Sequence, residues 1–367
     1  MTRHCRFFLS LATLLLCAAT HCVAQRITPV SGFPDTEKGY GLGVSACYAG
    51  RIGSWIIVAG GCNFPEPGRK HYYRGIYAAR ADADTLRWRH IGRLPEAAAY
   101  GGVATSGDSL LLIGGNNLAH SLNTVWSLHI KPDGSRATIK TLQPMPHTAD
   151  NMAVAQKGND IFVVGGNIDG VPSAAVWHTR LGKKGAPWSH FATLKGSPRV
   201  QPVAVCAGRK LYVWGGFYAD GNGSEVHTGG ESIALRSRKS TLLPAPTDSL
   251  GLPLTLSGGT AWNRHGAIWA AGGVNHDIFL DAISWRYRLV EQKDYLLQPI
   301  AWYRFNPFLC RFNPRRRRWQ TSHTSHPMLA RAGAAALWVP GFGCFYIGGE
   351  LKPAVRTPQI VRIADED

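Results

Sequence analysis

The sequence predicts an all-β protein, a six-bladed β-propeller whose last blade is closed by the N-terminal strand. Three observations lead there. An apolar run ending in Gly-Gly occurs six times along the 367-residue chain, with 54, 51, 50, 57 and 76 residues between successive first glycines. Each interval has room for four short strands, and no long amphipathic helix interrupts the pattern. The sixth unit has one strand-like segment after its Gly-Gly, Pro358 to Ile363. An unclaimed strand-like piece, Arg26-Ile27-Thr28-Pro29-Val30, stands before the first unit. Pairing the two would hide two sheet edges and lock the ring.

The segment ahead of that piece reads as a leader. Arg3 and Arg6 give a basic start, Phe7 to Ala19 is almost unbroken apolar chain, and Cys22-Val23-Ala24 precedes Gln25. This is the layout of a secretory signal peptide, shorter than the roughly 18 apolar residues of a membrane-span candidate. An uncleaved anchor or a lipoprotein leader is the alternative, but Cys17 and Cys22 each lack the usual small residue before a lipid-bearing cysteine. The expected organisation is a signal peptide at 1–24 and one propeller at 25–367, exported to the periplasm and free of the membrane after cleavage.

The chain carries 40 Lys+Arg against 23 Asp+Glu, a net charge of +17, and loss of Arg3 and Arg6 with the leader leaves +15. Nucleic acid, an acidic surface or an anionic small molecule would suit that charge, and export excludes nucleic acid. The densest basic run, Arg315 to Arg318, lies between Asn313-Pro314 and Trp319 and reads as a solvated turn. Of eight cysteines, five remain after the leader: Cys47, Cys62, Cys206, Cys310 and Cys344. Their spacing is neither a disulfide framework nor a zinc motif. Cys47 with Cys62 is the one pair worth testing.

The repeats run in order. Trp55 to Gly61, Leu110 to Gly115, Ile161 to Gly166, Leu211 to Gly216, Ala267 to Gly273 and Cys344 to Gly349 are the six apolar runs. A shorter strand precedes each across a turn, as in Gly102-Val103-Ala104 before Ser106-Gly107-Asp108. An aromatic-bearing strand follows most of them, as in Ile76-Tyr77, Val125-Trp126 and Val176-Trp177. Units of about 50 residues with Gly-Gly and spaced Tyr and Trp are the signature of kelch repeats. The glycines let the inner strands approach and leave sharply.

Chain direction places the loops leaving the second strand and entering the first on one face. Those loops carry Asn63, Asn116, Asn167, Asn275 and Glu350 after the Gly-Gly pairs, and Tyr100, Asp150-Asn151, Arg199, Gln201 and Arg331 before the first strands. Amides and arginines suit a polyhydroxylated anionic ligand, because a guanidinium can hold a carboxylate with two parallel hydrogen bonds. Asn after Gly-Gly is also ordinary turn chemistry. Among the six Gly-Gly pairs that end an apolar run, the last alone is followed directly by a carboxylate, Glu350, and Arg356 lies six residues on. In a crowded mouth such a pair could serve as a base for a sugar hydroxyl. It could equally be a structural salt bridge between Glu350 and a basic neighbour such as Lys352. No convincing metal cluster is present, so neither metal nor cofactor is expected.

Two segments carry a specific resemblance. Gly349-Glu350-Leu351-Lys352-Pro353-Ala354-Val355-Arg356-Thr357 resembles the Gly-Glu-x-Lys-Pro-Gly-x-Arg-Thr segment of the bacterial N-acetylneuraminate epimerases, the sialic acid mutarotases. Gly272-Gly273-Val274-Asn275-His276-Asp277-Ile278-Phe279 resembles that family's Gly-Gly-Val-Asn-x-x-Ile-Phe. The order of the blades is shifted, so the chain resembles a cyclically permuted mutarotase branch. The resemblance implies interconversion of the α and β anomers of N-acetylneuraminate, with Glu350 as proton acceptor and Arg356 assisting. Arg199 or Arg331 would add a hold on the sugar carboxylate, and Asn63, Asn116, Asn167 and Asn275 would complete the binding ring. Ala354 stands where the family often has Gly. The alternative is a non-catalytic propeller that binds acidic glycans or a protein, since kelch folds host many functions. A copper oxidase is a weaker third reading, against which the missing ligand set argues.

Overall fold

Second strands such as Trp55–Ala59, Ser109–Ile113 and Gly343–Ile347 are buried at every residue. A strand covered on both faces reads as a continuous apolar run, because neither side meets water. The computed structural model describes residues 25–182 and 187–365, and shows what covers them: a neighbouring sheet on each side. Blade one consists of Tyr48–Ile52, Trp55–Ala59, Gly75–Arg80 and Arg89–Arg93, paired antiparallel in that order. Blades two to five repeat the plan with first strands Gly102–Ser106, Ala153–Lys157, Val200–Ala207 and Thr260–Arg264. Blade six takes Ala335–Val339, Gly343–Ile347 and Ile360–Asp365 from the C-terminal part of the chain, and Gln25–Val30 as its outer strand.

The N-terminal strand pairs antiparallel with Ile360–Asp365 from Gln25↔Asp365 to Val30↔Ile360, so the expected closure of the last blade is present. The C-terminal strand starts two residues later than expected. Pro358 has no N–H for the ladder, and the Gln359 N–H turns back to the Thr357 hydroxyl. The predicted signal peptide, residues 1–24, lies outside the described residues.

The core lies between the blades. Ile57, Ile76 and Ala78 of blade one pack on Leu110, Leu112, Trp126 and Leu128 of blade two. Across the seam of the ring, Ile56 and Val58 pack with Phe345, Ile347, Ile360 and Val30 of blade six. All five described cysteines are buried and free, so the Cys47–Cys62 pairing is absent. The basic run is a solvated turn, with the Asn313 side chain accepting from the N–H groups of Arg315 and Arg316 at 3.0 Å each.

At the axis the six blades are joined by a closed circle of backbone hydrogen bonds. The N–H of Ala46 donates to Gly333, Tyr100 to Ala46, Asn151 to Tyr100, Gln201 to Asn151, Gly258 to Gln201 and Gly333 to Gly258, at 2.7–3.0 Å. All six residues have positive φ, between 52° and 70°. The circle rims a channel of about 260 Å³ lined by small residues such as Ala49, Gly102, Ala153, Ala204 and Ala335. The long interval before blade six is filled by an insertion carrying the helix His276–Ile283 and two shorter helical segments. Among the described residues, no helix is long and apolar enough to cross a membrane.

Candidate functional site

Each Gly-Gly leaves its strand by a route that a side chain would block. Gly348 and Gly349 have φ of 61° and 103°, and a Cβ on Gly348 would lie 2.4 Å from the Val44 carbonyl oxygen of blade one. The Gly349 N–H donates to that same oxygen at 2.9 Å. The next residue is then fixed by two backbone bonds: Glu350 N–H to Ala332 O at 2.7 Å, and Ala332 N–H to Glu350 O at 2.9 Å. Cys62 is held in the same way by Ser45, and Asn116 by Ala99. Equivalent backbone anchors thus carry different side chains, and blade six alone presents a carboxylate there.

The spacing of six positions from Glu350 to Arg356 has a geometric meaning. Glu350–Lys352 and Val355–Arg356 form a hairpin in which Glu350 and Arg356 stand directly opposite. Cross-strand partners lie within side-chain reach, and the two form an ion pair. The turn places Ala354 at φ 65°, a left-handed conformation that suits Gly. Ala354→Gly is therefore expected to raise stability by roughly 0.5 kcal/mol, the balance of relieved left-handed strain and added chain entropy in the unfolded state. Thermal melts of the two proteins check this.

The pair sits in a mixed polar and aromatic cluster. The Arg356 side chain is 3% exposed and that of Glu350 23%, so the carboxylate is the member that water and solutes reach. Burial pushes the Glu350 carboxyl up from its usual range, while Arg356 and then Lys70 pull it down, leaving it raised. Arg356 lies over the Phe64 ring at 5.2 Å. Lys70 donates to the Tyr100 hydroxyl at 3.1 Å and lies 4.5 Å and 4.9 Å from the Tyr100 and Tyr72 ring centres. Lys352 turns away from Glu350. Its ammonium donates to the carbonyls of Leu296 and Gln298 at 2.9 and 2.7 Å, tying the insertion to the hairpin. The structural salt bridge with Lys352 is thus replaced by the Arg356 pair.

Several predicted binding residues turn out to be structural. Asn63 is 1% exposed; it donates to the carbonyls of Gly39 and Gly43 and accepts from the Tyr73 hydroxyl. Asn275 caps the helix His276–Ile283, its side chain accepting from the Ile278 N–H. Arg199, 5% exposed, donates to the carbonyls of Gly215 and Gly229. Arg331, 0% exposed, donates to those of Gly348 and Gln359. Neither arginine presents its guanidinium to the mouth, which corrects the expectation for both. Asn116 and Asn167 remain half-buried at the mouth. The Asn116 side-chain oxygen is buried without a partner, and Asn167 donates to Asp150 at 2.8 Å. Asp150, 2% exposed, also holds Asn151 and Ser121.

The sequence did not single out Lys70 or Tyr72, which lie beside Tyr100. Lys70 and Tyr72 belong to a hairpin, Cys62–Glu66 with Arg69–Tyr72, that follows blade one's Gly-Gly as the Glu350 hairpin follows blade six's. That parallel, with Pro67-Gly68 marking the turn, was the available signal. Among the described residues, no group of three or more His, Cys, Asp or Glu is placed to hold a metal ion.

A sequence model of the N-acetylneuraminate epimerases matches residues 142–366, more than half of the chain and including the Glu350 hairpin. The chain belongs to the N-acetylneuraminate epimerase family. It is 29% identical to an N-acetylneuraminate epimerase of Haemophilus influenzae (strain 86-028NP) over 182 residues, 47% of each chain. It is 26% identical to one of Shigella sonnei over 245 residues, 62% of this chain and 61% of that one. The chain thus spans about half to three fifths of the length of these epimerase relatives. Its fold resembles the solved structure of YjhT, with a TM-score of 0.52, 23% identity, and 60% of this chain and 64% of that one covered.

Proposed function

We propose that the protein is an exported sugar mutarotase that interconverts the α and β anomers of N-acetylneuraminate. The Glu350–Arg356 pair carries the reading. It places a carboxylate that water reaches, with a raised pKa, beside a guanidinium at the mouth of a basic propeller of the epimerase family. Glu350 takes the proton of the anomeric hydroxyl as the bond from the anomeric carbon to the ring oxygen breaks and that oxygen is protonated. The open keto form rotates about its C2–C3 bond, presenting the other face of the C2 carbonyl, and closes to the other anomer, with the protons returned. Arg356 holds Glu350 ionised and in register, and its charge with that of Lys70 favours an anionic sugar.

The leader at 1–24 supports delivery to the periplasm, and 25–367 is read as one propeller. We also read the chain as cyclically permuted relative to its family. A linear comparison cannot run across a permuted junction, and the family match leaves out every strand of blades one and two. Permutation moves the chain ends and leaves blade positions intact, so the site survives it.

Freshly dissolved pure α-anomer, followed by its NMR signals, tests the activity. The protein is expected to bring the anomers to equilibrium faster than buffer alone. An unchanged rate, with binding of the sugar detected, would instead support a non-catalytic glycan-binding propeller.

A further inference from the structure

Ring opening needs an acid as well as a base, since the ring oxygen leaves as a hydroxyl. Glu350 supplies one arm, and the structure holds a candidate for the other. Tyr100 lies in the axial circle with φ 60°, a conformation in which a bulky side chain is an outlier that needs a reason. Its backbone is fixed on both sides, N–H to the Ala46 carbonyl at 2.9 Å and carbonyl to the Asn151 N–H at 2.8 Å. The side chain is half-buried. Its hydroxyl oxygen accepts from Lys70 at 3.1 Å and interacts with the Arg356 guanidinium. A phenol oxygen has two lone pairs. Lys70 donates to one and the Cys62 thiol, 3.5 Å away, is a weak donor to the same oxygen, so the hydroxyl's own proton points away from both. Lys70 spends one of its three N–H bonds on Tyr100 and rests on two aromatic faces. The other charged or titratable groups acting on this pair are Glu350, Arg356, Cys62, Tyr72 and Asp150.

We propose that Tyr100 is the acid–base partner of Glu350 across the sugar ring, and that Lys70 supplies and recovers its proton. This rests on the mutarotase reading. In opening, Glu350 gains the anomeric hydroxyl proton, the electrons of that O–H bond form the C=O, and the carbon–ring oxygen bond breaks. The ring oxygen takes the phenol proton of Tyr100, and the phenolate takes a proton from the Lys70 ammonium. In closure each proton retraces its path, with the protonated Glu350 returning its proton to the carbonyl oxygen. Burial keeps Tyr100 protonated far above neutral pH and lowers Lys70, so Lys70 titrates first on the alkaline side.

The test compares wild type, Tyr100→Phe, Lys70→Met and Glu350→Gln in the anomer assay across pH. Tyr100→Phe retains the ring and its packing, and is expected to lower kcat about 10²-fold with KM within twofold and an unchanged melting temperature. Lys70→Met is expected to lower kcat about tenfold and move the alkaline limb to higher pH, because only the phenol remains to titrate. A purely structural tyrosine would move the melt and leave the alkaline limb in place. Wild-type kcat and alkaline limb in Tyr100→Phe would overturn the assignment while leaving the mutarotase intact. Wild type no faster than buffer, with Glu350→Gln equally silent, would remove both.

Discussion

Glu350→Gln is expected to lower the rate of anomer interconversion about 10³-fold and leave the fold intact. The amide has nearly the same size, and both backbone bonds to Ala332 are independent of the side chain. What is lost is a group able to accept a proton. The pH dependence identifies the residue more sharply. Glu350 must be ionised to act as a base, so the wild-type rate falls as pH drops through its pKa. Burial raises that value above the ordinary 4.5, and the acid limb should lie correspondingly above the usual carboxylate range. The residual rate of Glu350→Gln should be flat there. Arg356 is the largest influence pulling the value down, so Arg356→Met should move the acid limb to higher pH. The NMR rate measured across pH for the three proteins checks all of this. Wild-type kcat in Glu350→Gln would leave the ion pair as a structural bridge.

The ring was legible in the sequence because a propeller repeats one physical problem six times. A strand buried on both faces must be apolar throughout, and its exit toward the next blade leaves no space for a Cβ. Both requirements write themselves into every unit. The seam was legible for the opposite reason, since Pro358 to Ile363 lacked a partner that Arg26 to Val30 could supply. Glu350 and Arg356 were legible because a hairpin brings positions six apart face to face and no other unit has an acid at that exit.

Side-chain direction was not legible. The first glycine carbonyl of a pair takes a side-chain donor in five blades: Tyr40 on Gly60, Tyr48 on Gly114, Arg199 on Gly215, Asn306 on Gly272 and Arg331 on Gly348. Tyrosine, arginine and asparagine do the same task from different places in the chain, so no motif marks it. Arg199 and Arg331 therefore looked like ligand-binding cations when they are donors to buried carbonyls. Lys70 was missed because its hairpin delivers it to Glu350 from the other side of the seam between blades six and one. That proximity exists only after the ring has closed.

Arg331→Met separates these two roles for a buried arginine. The guanidinium is fully buried, donates to Gly348 and Gln359, and lies 5.2 Å from the Tyr346 ring centre. Burial pushes it down to about 10, still charged at neutral pH. Met can fill much of the apolar stem but cannot donate. The Gly348 carbonyl and the Gln359 side-chain oxygen would lose their donor, at about 1–3 kcal/mol for each one left unsatisfied, while the Gln359 carbonyl keeps the Gly348 N–H; the loss is offset in part because a desolvated charge is removed. A net loss of about 3 kcal/mol is expected, or roughly 6 °C in melting temperature at about 2 °C per kcal/mol for a chain of this size. The protein that remains folded should keep its KM for the sugar, since no atom of Arg331 is exposed at the mouth. A KM raised tenfold or more with an unchanged melt would instead restore Arg331 as a carboxylate ligand. Because Gly348 stands two residues before Glu350, the same experiment shows how far the Glu350 hairpin depends on a buried guanidinium.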